Sequence, residues 1–152
     1  MRVQRCSDGF DEDKALASVR LPEGDALAEM VRLQRDLQKA IGGPKAAGVL
    51  SGPADEEAAQ ASIKENVLAA HSELSEILDM VNWKSWKRSR QKVDWEELRF
   101  EVVDLLHFAL NLAMASGMTA HGVLARYRHK HGINKARQAG AYRANAGNAR
   151  VV

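Results

Sequence analysis

Cys6 is the only cysteine in this 152-residue chain. It cannot close an internal disulfide, and it rules out a zinc site built from several cysteines. A reducing, cytoplasmic setting is the expectation that follows. No apolar run approaches the ~20 residues that a membrane-spanning helix needs. The first residues, Met1-Arg-Val-Gln-Arg-Cys6, lack the apolar stretch of a secretory signal. Strand-like alternation is missing, as are an internal repeat, a glycine-rich phosphate loop and a serine or cysteine nucleophile beside a base. Acidic residues are missing from the whole stretch after Asp104.

What is present is helical periodicity. Hydrophobic residues at 45% and charged residues at 28% suit one soluble domain with a single core. Residues 1–22 show no period and read as an irregular arm. Asp25 caps a first helix running to about Ile41, with the apolar stripe Leu27, Met30, Val31, Leu37 and Ile41. Gly42-Gly43-Pro44 stops it, and residues 44–54, rich in Gly, Pro, Ala and Ser, read as a linker. A long helix follows over about 55–82, its stripe Ile63, Val67, Ala70, Leu74, Ile77 and Val81 advancing in steps of 4, 3, 4, 3, 4. Residues 83–93 form a basic loop containing tryptophan. Asp94, with Glu97 three residues on, opens another helix through an Asp variant of the capping box. Its apolar face is Leu98, Val102, Leu105, Leu106, Ala109 and Leu112, and Gly117 suits its C-terminal end. Thr119 caps a last helix to about Arg137, with Gly132 as a weak point, and residues 139–152 read as a loosely ordered tail. The expectation is an all-α, four-helix-bundle-type domain over residues 23–138. So small a bundle leaves an apolar seam, which a second copy would complete as a homodimer or higher homo-oligomer.

Two matched pairs of acids stand out: Glu73-Leu-Ser-Glu76 and Glu101-Val-Val-Asp104. On helices, i,i+3 spacing points each pair from one face. Both pairs border apolar stripes, where unpaired charge costs several kcal/mol. Packing the two helices together would gather four negative charges, and a cation must then join them. A hard divalent ion with oxygen ligands fits, Mg²⁺ first and Mn²⁺ as its substitute.

The bases lie on either side of these acids. Lys84, Lys87, Arg88, Arg90 and Lys92 precede the second pair, and Arg126, Arg128, Lys130, Lys135, Arg137, Arg143 and Arg150 follow it. A nucleic-acid partner would explain the bases but not the paired acids. A nucleoside triphosphate with its metal explains both. The aromatics divide: Phe108 adjoins the apolar face, Trp83 and Trp86 sit in the basic loop, and Trp95 opens a helix. His107 reads as a core histidine or one supporting the metal ligands, because a di-iron bundle would need a second Glu-x-x-His element that the chain does not have.

Read together, these elements resemble a known family. Glu73-x-x-Glu76, Trp83-Lys-x-Trp86-Lys87, Glu101-x-x-Asp104-Leu-Leu-His107-Phe108 and Tyr127-x-x-Lys130-x-x-x-Asn134-x-x-Arg137-Gln138 are similar to the dimeric dUTPases. Those belong, with the MazG proteins, to the all-α NTP pyrophosphatase superfamily. The resemblance covers about residues 27–142. It implies Glu73, Glu76, Glu101 and Asp104 as metal ligands, with Glu73 or Glu76 also positioning the attacking water. It implies Lys87, Lys130, Asn134 and Arg137 at the phosphates. At the nucleoside it implies Trp86, Phe108 and Asn111, together with Gln34 and Gln38 from the first helix. Gln38 stands where the family's base-reading element has Asn, so its longer side chain alters the base pocket. The implied reaction is dUTP plus water giving dUMP and pyrophosphate. The alternatives are the same chemistry on dCTP or a purine nucleotide, and a non-catalytic nucleotide-binding or regulatory module.

Overall fold

The structure is a computed structural model that describes Asp11, Lys14 and residues 24–88 and 91–138. The arm expected over 1–22 and the tail over 139–152 fall outside the described residues, apart from Asp11 and Lys14. The helices that lie wholly within the described residues are α1 (Ala26–Ile41), α2 (Gly43–Ser51), α3 (Glu56–Met80), α4 (Trp95–Ala115) and α5 (Ala120–Gln138), with a 3₁₀ turn at Gly52–Ala54. No strand occurs among the described residues, so the all-α expectation holds. No single described helix is long and apolar enough to cross a membrane.

Side-chain caps set the helix starts. Asp25 accepts from the Leu27 and Ala28 amides, Asp55 from Ala58, and Asp94 from Glu96 and Glu97. Each relieves N–H groups that a helix start leaves without a partner, worth about 1 kcal/mol apiece. Gly42 ends α1 at φ 65°, its N–H donating to the Gln38 carbonyl at 3.0 Å. Gly117, just past α4, takes φ 78°.

Two expectations are corrected. Residues 44–54 are not a linker but belong to α2 and the 3₁₀ turn. Pro44 sits in the first turn of α2, where its missing N–H costs nothing and its fixed φ suits the helix. The small residues that resemble a loop serve packing. Ala46, Gly48 and Val49 are buried, and a Cβ on Gly48 would overlap the Ala58 carbonyl of α3. Ser62 locks this approach by donating to the Lys45 carbonyl at 2.7 Å. The second correction concerns α1. Its inward residues are Gln34 and Gln38, 2% and 6% exposed, whereas Leu33, Leu37 and Ile41 form an exposed row. Val67 and Leu74 of α3 and Val102 and Leu106 of α4 are also exposed.

The core lies where α2 meets the start of α3 and the end of α4. It comprises Ala46, Val49, Ala59, Leu110, Ala113, Met114 and Ala115. The chain divides into two compact units, one through Thr119 and one from Ala120. In the second, α5 runs unbroken through Gly132 and has no fully buried residue.

Candidate active site

α3 and α4 run in opposite directions, since Asn66 meets Asn111 while Glu73 meets Glu101. Seven residues separate Asn66 from Glu73, and seven separate Asp104 from Asn111. Two helical turns span about 10 Å. The facing surfaces therefore carry acids at one level and amides at another, at a separation that suits the phosphates and base of one nucleotide.

At the acidic level, one carboxylate oxygen from each of Glu73, Glu101 and Asp104 lies within 4.8 Å of the others. Two like charges that close repel by about 3 kcal/mol at an effective dielectric near 20. Glu101 is only 7% exposed. Burial, foremost, pushes its carboxyl up to about 7, reinforced by the charge of Glu76, the hydrogen bond to Glu73 and the charges of Glu73 and Asp104. Glu73 is raised too, by burial and then by the charges of Glu76 and Asp104, while its hydrogen bond with Glu101 pulls the other way. Both patterns describe a proton held on Glu101 and donated to Glu73. That proton does what a cation would do there, which is to relieve crowded negative charge. The donors are hard oxygens, so the set fits Mg²⁺ or Mn²⁺. Glu76 is exposed and stands outside the trio, yet its charge acts on both Glu73 and Glu101.

A hollow of about 440 Å³ opens beside this cluster, lined by Glu76, Asp79, Asp94, Glu97, Glu101 and Lys92 among others. Asp79 and Gln91 also line a neighbouring hollow of about 280 Å³ that holds Trp83, Lys84 and Lys87. Lys87 therefore lies one hollow away from the acids. The loop is clasped by Asn82, which donates to the Gln91 carbonyl and accepts from its amide, both at 2.9 Å. Trp83 and Trp86 meet edge to face at 5.8 Å between centroids. Trp86 is 73% exposed and does not line the pocket described next.

At the amide level a pocket of about 350 Å³ is lined by Gln38, Asn66, Phe108 and Asn111, with Lys45 and Glu65 among its other walls. A largely buried polar chain runs from its wall inward. His107 Nδ1 meets Gln34 Oε1, Gln34 Nε2 donates to Asn111 Oδ1 at 2.8 Å, and Asn111 Nδ2 donates to Asn66 Oδ1 at 2.8 Å. Asn66 Nδ2 ends it on the Ser62 carbonyl at 2.8 Å.

Of the expected site residues, the structure brings together Glu73, Glu101 and Asp104, with Glu76 adjacent. It brings Gln38, Phe108 and Asn111 to a single pocket, with Gln34 behind it. Lys130, Asn134 and Arg137 follow i, i+4, i+7 spacing on one exposed face of α5, in the separate second unit. Sequence reasoning missed Asn66 as a pocket residue and Glu97 as a wall of the acidic hollow. Carrying the Glu73 face back two turns reaches Asn66, and carrying the Glu101 face back one turn reaches Glu97.

The described residues thus carry an acidic cluster between two antiparallel helices, with an amide-lined pocket two turns along. A family model described as dUTPase matches residues 26–122, which include both acid pairs and the amide-lined pocket, and the chain belongs to that all-α, MazG-like dUTPase family. Lys130, Asn134 and Arg137 lie beyond the matched span. Neither the curated proteins nor the solved structures give a match.

Proposed function

We propose that this chain hydrolyses dUTP to dUMP and pyrophosphate with Mg²⁺ held by Glu73, Glu101 and Asp104 and completed by Glu76. The observation that carries the reading is the convergence of the three carboxylates within 4.8 Å around a buried Glu101. When bound, the ion would screen the triphosphate and polarise a phosphoryl oxygen. Glu101 must first release its proton so that the cluster is fully charged. Glu76, exposed beside the trio, is free to accept a hydrogen bond from the attacking water and orient it, with Glu73 supporting it. Water adds, the bridge between the α- and β-phosphoryl groups breaks, and the proton of the water leaves through the carboxylates to solvent. Lys87, Lys130 and Arg137 are proposed to neutralise phosphate charge, with Asn134 as a hydrogen-bond partner. Gln38, Asn111 and Phe108 are proposed at the nucleoside with Gln34 behind them, and Trp86 offers a further aromatic surface from the loop.

A second reading has a specific basis. The Gln38 side chain lines the pocket, so its amide can offer either end to a base. Cytosine then competes with uracil. Hydrolysis of all common dNTPs at equal concentration, followed by pyrophosphate release, tests both: a preference for dUTP supports the first, and a preference for another base refutes it. Glu73→Gln should remove turnover. Magnesium-dependent binding without turnover by the wild type would instead favour a regulatory module.

A second copy of the chain is the proposed cover for the exposed row Leu33, Leu37 and Ile41. Leu37→Glu should convert the oligomer to monomer in light scattering. A wild-type monomer would refute this part.

A further inference from the structure

We propose that His107 is a positioning residue: its Nδ1–H fixes the direction of the Gln34–Asn111–Asn66 amide chain and so sets which groups the nucleoside pocket presents. This rests on the nucleotide reading above, but its first argument is independent of it. The chain ends on the Ser62 carbonyl, which can only accept. Asn66 must therefore turn its Nδ2 to Ser62 and its Oδ1 to Asn111. Asn111 must then donate to Asn66 and accept from Gln34, which leaves Gln34 Oε1 facing His107 Nδ1. Only a protonated Nδ1 satisfies that contact. One carbonyl thus dictates the orientation of three amides and the tautomer of a ring four residues' contacts away.

The consequence falls on specificity. Asn66 and Asn111 line the pocket, and each retains one N–H after serving the chain. A wall held in this orientation offers donors, which suit a carbonyl of a pyrimidine base. Gln34 has both ends of its amide engaged, so it acts through the wall rather than on the base. Gln38, at the pocket wall and outside the amide chain, is left as the side chain that adapts to the rest of the base edge. Without the donor at His107, Gln34 gains an unpaired buried oxygen. The amides can then reverse to relieve it, and the wall loses its fixed polarity.

Two measurements test this. Nitrogen-15 NMR of the free protein should place the proton of the neutral His107 ring on Nδ1; a ring protonated only on Nε2 overturns the proposal whether or not the protein is an enzyme. In steady-state kinetics, His107→Leu should raise KM for dUTP about tenfold with kcat held within about twofold, and should narrow the preference over dCTP. His107→Asn, whose amide nitrogen can stand in for Nδ1, should recover most of the loss. An unchanged KM in folded His107→Leu, or a folded His107→Asn no better than it, overturns the proposal. A wild-type protein without turnover strikes at the enzymatic reading alone, and the ring tautomer then decides the chain's direction.

Discussion

The metal-free protein should lose stability as the pH rises through neutrality, whereas most folded-state carboxylates act in the other direction. Glu101 has a folded-state value of about 7 against an ordinary 4.5. Between those values the folded protein holds a proton that the unfolded chain has already released. Raising the pH strips that proton, so the contribution is fully present below 4.5 and is lost as the pH climbs through about 7. Glu73 is raised as well and adds in the same sense. A displacement of one pH unit is worth about 1.4 kcal/mol, so Glu101 contributes at most about 3 kcal/mol. For a domain of this size that is a drop on the order of 10 °C in Tm between about pH 5 and about pH 8. Circular-dichroism melts across that range measure it directly. Glu101→Gln, which keeps the shape and cannot ionise, should flatten the profile. Magnesium at a hundredfold excess over its Kd should return about 2.7 kcal/mol at the alkaline end, and little at the acid end where Glu101 holds its proton. A metal-free Tm that stays flat or rises across the range would refute the reasoning, as would a Glu101→Gln profile with the wild-type slope.

Three further outcomes are expected. Asp104→Asn should lower kcat/KM more than a hundredfold with the fold intact by circular dichroism, because it removes one charge from the trio. Gly48→Ala should destabilise by about 3 kcal/mol or more in urea melts, since the added Cβ meets the Ala58 backbone and Ser62 Oγ. Asp94→Ala should cost about 1 kcal/mol, read as a shift of the urea midpoint with an unchanged m-value, because two amides at the start of α4 lose their acceptor.

The acids were legible in the sequence because their signal is local. An i,i+3 pair on a regular helix needs only the helical period to define a face, and α3 and α4 each supply that period. The caps Asp25 and Asp94 were equally legible, because a cap lies within three residues of the amides it serves. α2 was hidden because Gly and Pro count against a helix in isolation, whereas here Gly48 lets α2 approach α3 closely enough for Ser62 to reach the Lys45 carbonyl. Its stability comes from that contact, and the contact spans 17 residues of chain.

The inversion of α1 has the same kind of cause and joins the fold to the site. Its hydrophobic pattern is genuine, but a pattern states only that a helix has two faces, not which one a given domain buries. Gln34 and Gln38 would each cost several kcal/mol to bury alone. Gln34 is carried inward by partners on α4, Asn111 and His107, that lie 77 and 73 residues away. With the glutamines turned in, Leu33 and Leu37 lie out to one side, while Ile41, exposed as well, stays beside Gln38 at the rim of the pocket. One rotation of one helix therefore produces both the polar wall of the nucleoside pocket and the apolar row proposed to meet a second copy. On the proposed function, α1 serves both base recognition and self-association. A change that loosens the amide chain behind the pocket should then also weaken the proposed contact made by the neighbouring apolar row.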